Sequence, residues 1–121
     1  MTEKLRILLR DLLQGVCPRV RYGYAADGTD PPHLVFSLQE LSYEEGLSLQ
    51  ELEVNVMDYG TDTGPAEALA DQLQRLLDHY QTLTEEFEVS LYREKRQPIY
   101  ETDKQIIRRR LTFQVRLYER S

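Results

Sequence analysis

From Ile107 onward the chain alternates. Ile107, Leu111, Phe113, Val115 and Leu117 share one parity, and Arg108, Arg110, Thr112, Gln114, Arg116 and Tyr118 share the other. Successive side chains of a strand point to opposite faces, so this segment reads as a long strand with one apolar face and one basic face. Such a strand belongs in a sheet that buries one side under another layer and leaves the other side wet. Arg109 breaks the apolar parity, which requires a place at the strand entrance or beside a carboxylate.

Two helical patterns supply the covering layer. Leu5, Leu8, Leu9, Leu12 and Leu13 recur at the three- and four-residue spacing of one buried stripe, with Thr2 as a candidate N-cap and Gly15 and Pro18 as the stop. A second stripe, Ala66, Leu69, Ala70, Leu73, Leu76, Leu77 and Tyr80, follows Asp62-Thr63-Gly64-Pro65, a helix-start signal, and predicts a helix to about residue 81. Between them lie three strand patterns: Val20 to Tyr24, His33 to Leu41 and Leu47 to Asp58. In the third, Leu47 and Leu49 differ in parity from Leu52, Val54 and Val56. Either a bulge near Gln50-Glu51 reverses the faces, or the first two leucines belong to the connection. Phe87, Val89 and Leu91 begin a fourth strand reaching about Lys95, before a connection that starts at Gln97-Pro98.

The order α-β-β-β-α-β-β predicts a single α+β domain, a mostly antiparallel sheet with the helices packed against it. A length of 121 residues supports one core. No apolar run approaches the about 20 residues of a membrane span, and Glu3, Arg6, Arg10 and Asp11 interrupt any secretory signal, so no membrane partner is expected.

Charge is uneven along the chain. Residues 1–92 carry −11 and residues 93–121 carry +5, within a total of −6. A chain this acidic lacks the phosphate-neutralising surplus that tight nucleic-acid binding needs. Two readings fit the pattern: solvated strand faces, or a dipolar subunit whose basic side meets a neighbour's acidic side and closes a ring. In the second reading Arg108, Arg110 and Arg116 dock on acidic residues of the middle strands, Glu40, Glu44, Glu45, Glu51 and Glu53. The turn-rich stretch 25–32, with Asp27, Gly28, Asp30, Pro31 and Pro32, is a loop free to contact another partner, as is the 40–48 connection.

No catalytic, cofactor or metal constellation is visible. Cys17 is alone, which excludes an intrachain disulfide and fits a reducing compartment; His33 and His79 are far apart, and His79 reads as structural or solvated near a helix C-terminus. Glu44-Glu45 and Glu85-Glu86 sit in surface turns, no Gly-rich phosphate loop opens a helix, and no serine sits in a nucleophile elbow. An enzyme would need a cleft uniting His33, Cys17 or His79.

The opening helix, the Val-Arg-Tyr-Gly-Tyr strand of Val20 to Tyr24, the Pro31-Pro32 entry to a hydrophobic strand, Leu-Glu-Val-Asn-Val at Leu52 to Val56, the Pro65-started helix and the long closing strand resemble phage tail-completion proteins. These are the tail terminators and tail-to-head joining proteins of long-tailed phages and prophages. The resemblance implies a noncatalytic ring, often a hexamer, at the head-proximal end of the tail. Its partners would be further copies of itself, the tail tube protein and the head-tail connector protein, with DNA passing through unbound. The location implied is the virion tail, after assembly in the bacterial host cytoplasm. A different connector role, or a minor tail component, is the nearest alternative.

Overall fold

The computed structural model describes residues 2–24 and 29–120. Along the chain come α1 (Thr2–Gln14), β1 (Val20–Tyr22), β2 (His33–Glu44), β3 (Leu47–Tyr59), α2 (Gly64–Leu77), β4 (Gln81–Leu83), β5 (Phe87–Ile99) and β6 (Ile106–Glu119). All six strands form one sheet in the order β1-β2-β3-β6-β5-β4. The architecture is α+β, and every pairing is antiparallel except β1 with β2. A tight hairpin cannot join parallel neighbours, and ten residues separate Tyr22 from His33 in the sequence.

One hydrophobic cluster holds the molecule together. Leu5, Leu9 and Leu13 of α1 and Ala66, Leu69, Ala70, Leu73 and Leu77 of α2 meet Leu34, Phe36, Leu52, Val54, Val56, Val89, Leu91, Leu111, Phe113, Val115 and Leu117 of the strands. Both helices therefore cover the same side of the sheet, and the other side is open. Cys17 is buried beside α1, with Sγ 3.6 Å from the Pro32 carbonyl oxygen, as expected of a small apolar residue.

Several boundaries depart from the sequence reading. Thr2, expected as a cap, is already the first helical residue. At α2, Thr63 occupies the N-cap position without a side-chain bond, and Asp62 Oδ1 instead accepts from the Gly64 N–H at 2.9 Å. That helix stops at Leu77 rather than near 81. His79 adopts a left-handed φ of 63°, its N–H bonds the Leu91 carbonyl oxygen, and the chain turns into the short edge strand β4. Tyr80 still packs on the core, so the helical spacing Leu76, Leu77, Tyr80 continues an apolar stripe that the backbone has left.

The parity slip in β3 also has a different cause. β3 pairs with β6 without interruption from Leu47 to Tyr59, and Ser48 and Gln50 take the core side, joined by a 3.1 Å hydrogen bond. Leu47 and Leu49 face the open side. The irregularity lies across the ladder in β2, where the register shifts between Glu40 and Ser42. β2 and β3 thus run to a two-residue turn, Glu45-Gly46, with φ of 51° and 88° at the two positions. The long 40–48 connection expected from sequence is a hairpin. A second shift between Arg93 and Lys95 carries β5 past Gln97-Pro98 to Ile99. Pro98 is tolerated because β4 pairs only with residues 88–90, leaving that stretch of β5 a sheet edge.

Candidate functional site

The open face of the sheet is where the sequence-predicted charges gather. Arg108, Arg110 and Arg116 of β6 project there by alternation, and so do Glu51 and Glu53 of the neighbouring β3. Arg110 Nε lies 3.1 Å from Glu53 Oε1 as an ion pair, yet is not aligned for a hydrogen bond, so this buried N–H goes unmatched. Arg108 donates through Nε to Asn55 Oδ1 at 2.9 Å and pairs with Glu101 at 3.0 Å, while Asn55 Nδ2 donates to Glu53 Oε1 at 2.9 Å. Glu101, Arg108, Asn55, Glu53 and Arg110 form one continuous network. It explains why Asn55 is only 6% exposed on a side that no helix covers.

That arrangement corrects the premise of a dipolar subunit. The basic and acidic segments are not opposite sides; β3 and β6 are sheet neighbours, and their charges are partly matched within the chain. Arg116 stays exposed, with no ion pair among the described residues. Glu40 sits on the β2 edge and accepts from Ser48 Oγ at 3.2 Å, whereas Glu44 and Glu45 are exposed at the hairpin tip. Of the loop residues singled out, Asp27 and Gly28 lie outside the described residues. Asp30 and Pro31 are exposed, Pro32 is half-buried, and its carbonyl oxygen accepts from Arg19 Nε at 3.0 Å.

The opposite, helix-covered face holds a charged cluster whose members the sequence did not reveal beyond the anomaly at Arg109. Arg109, near the start of β6 and on the core parity, donates from Nε to Glu67 of α2. Arg96 of β5 reaches the same carboxylate and Asp71, each at 2.6 Å. Hydrogen bonding from Arg109, reinforced by Arg96, holds the Glu67 carboxyl below its ordinary range, and Arg96 does the same for Asp71. Asp71, in turn, raises the Arg96 guanidinium further. These contacts clamp α2 to the sheet.

The residues a catalytic cleft would unite are not brought together. Cys17 belongs to the helix side, His33 sits half-buried at the entrance of β2 on the open side, and the His79 side chain is exposed beyond α2, edge-on to Tyr92. Burial pushes the His33 imidazole down, partly opposed by the Asp30 main chain. Among the described residues no group of three His, Cys, Asp or Glu is placed to hold a metal ion.

Tyr59 and Tyr100, at the ends of β3 and β5 that share one end of the sheet, are 56% and 88% exposed, and Tyr24, just past the end of β1, is 79% exposed. None of the three belongs to the core cluster.

The fold has a solved counterpart. A chain from a structure described as "Virion of native gene transfer agent (GTA) particle" superposes with a TM-score of 0.69, over 88% of this chain and 84% of that one, at 13% identity. Likeness at that identity establishes a shared fold. No protein-family model and no curated protein matches the sequence.

Proposed function

We propose that this chain is a noncatalytic structural subunit of a phage-type virion, assembling as a ring at the head-proximal end of the tail and joining tail to head. The observation that carries the reading is the superposition, nearly end to end, on a chain of a gene transfer agent virion particle. The sequence resemblance to tail-completion proteins points the same way and supplies the specific role. Exposed Tyr59 and Tyr100 at one end of the sheet suit contact with the tail tube or connector protein, because tyrosine is enriched in protein interfaces. The open face, with arginines interleaved among glutamates and a chain net charge of −6, suits a wall that DNA passes without sticking. Under this reading Arg116, Glu51 and the hairpin-tip glutamates remain the charges available to a neighbouring subunit.

Purified particles from a strain producing the tagged chain provide the test. Electron microscopy with labelled antibody should place rings of the chain where tail meets head. Finding the chain absent from particles, or spread along the tail, overturns the proposal.

A further inference from the structure

Three arginines stand apart from the networks above. Arg6 and Arg10, one turn apart on α1, and Arg21 of β1 line a cavity of about 310 Å³ at the sheet edge, together with Ile7 and Tyr22. All five side chains belong to exposed residues, and none of the arginines pairs with a carboxylate among the described residues. Arg6 instead lies over the Tyr22 ring, 5.0 Å from its centroid. The groove is basic at its rim, and Ile7 and Tyr22 add apolar surface.

The β2–β3 hairpin tip has the complementary character. Glu40, Glu44 and Glu45 match the three arginines in number and oppose them in charge, and Leu41 and Tyr43 are 52% and 55% exposed on the same segment. The tip cannot fold back into its own groove. β1 leaves β2 at the Tyr22–Phe36 pair, while pairing with β3 continues to Glu44. At about 3.3 Å per residue the eight intervening positions place the tip roughly 26 Å away on a paired, stiff hairpin.

We infer that the Glu40–Glu45 tip of one subunit seats in the Arg6/Arg10/Arg21 groove of the next. The two surfaces differ, so the contact is heterologous: each copy offers a tip and a groove, and repetition gives a closed ring when the rotation closes. This inference rests on the ring reading above and supplies its contact. Charge of this kind fixes register and partner choice more than raw affinity. Exposed apolar residues on both sides, and the negative net charge of the chain, favour a second copy over nucleic acid as the occupant.

Charge reversal tests it on the full chain. R6E/R10E has an acidic groove and an acidic tip; E44R/E45R has a basic tip and a basic groove. Each alone should self-associate on the order of tenfold more weakly than the native chain, whereas their mixture should regain association through alternating contacts and form only even-numbered assemblies. Circular dichroism confirms that both variants fold. In parallel, chains bearing R10C and E45C, mixed at millimolar concentration, should form a mixed disulfide well above the level of R10C with E88C, an exposed control on β5. Equal crosslinking at the control, unaltered association of the reversal variants, or loss of the crosslink to competing DNA each overturns the contact. Rings still visible by microscopy would then show that the ring reading survives with a different interface, and their absence would remove both.

Discussion

Glu67→Gln is the sharpest probe of how the helix layer is fixed to the sheet. The substitution keeps the side-chain shape but removes the negative charge that receives Arg109 and Arg96. A charge-assisted hydrogen bond contributes about 1.5–3 kcal/mol when well buried. Glu67 is 41% exposed, so solvent screening brings each bond toward the ~0.2–1 kcal/mol of surface pairs. Its place in the first turn of α2 adds about 0.3–1 kcal/mol from the helix dipole. Arg96 keeps Asp71, but Arg109, 17% exposed, keeps only neutral acceptors among the described residues, the Arg108 carbonyl oxygen and the new amide oxygen, which costs about 1 kcal/mol more. The expected loss is about 2 kcal/mol.

Urea unfolding followed by far-ultraviolet circular dichroism at pH 7 measures it, and an unchanged denaturant slope shows that the folded state is intact. The depressed Glu67 carboxyl adds a second signature. A folded-state pKa below the unfolded value gives stability that is full above about pH 4.5 and is lost as pH falls through the folded value, so the variant should converge on the native chain in acid. A deficit under about 0.5 kcal/mol at pH 7, within the range of ordinary surface substitutions, would refute the clamp, as would a deficit that persists undiminished at low pH.

Leu73, fully buried between α2 and the strands, should lose about 3–5 kcal/mol on Leu73→Ala in the same unfolding assay, and a loss under about 1 kcal/mol would mean the core cluster is wrongly drawn. Gly46→Ala should cost about 1 kcal/mol through its φ of 88° alone, since an added Cβ meets only the Glu119 carbonyl oxygen, at an ordinary 3.8 Å; a neutral result would argue against the tight hairpin turn. His33 takes its proton later in the folded chain than in the unfolded one because burial lowers its pKa. Stability should therefore decline as pH falls through about 6.5 and level off below the folded pKa. His33→Asn should flatten that part of the profile, and an unchanged slope would refute the assignment.

The layer arrangement was legible because it depends on periodicity. Leu5, Leu9 and Leu13 at helical spacing, and Leu111, Phe113, Val115 and Leu117 at strand spacing, can be buried together only by a helix laid on one face of a sheet, and that is where they lie. The anomaly at Arg109 carried its own explanation, since a cation on an apolar parity needs a carboxylate, and Glu67 provides one. Strand neighbours were not legible. β3 and β6 lie far apart in the chain, and nothing local told that their charges would share a face, so residues read as opposite sides of a subunit became partners within it.

The bulges at Glu40/Ser42 and Arg93/Lys95 depend likewise on which ladder each strand joins. So does the early end of α2, where the Leu91 carbonyl oxygen draws His79 out of a spacing that would otherwise have continued the helix. Periodic burial is a property of each segment, written in its own residues; pairing, register and the fate of a charge belong to contacts between segments, which come into being only when the chain closes on itself.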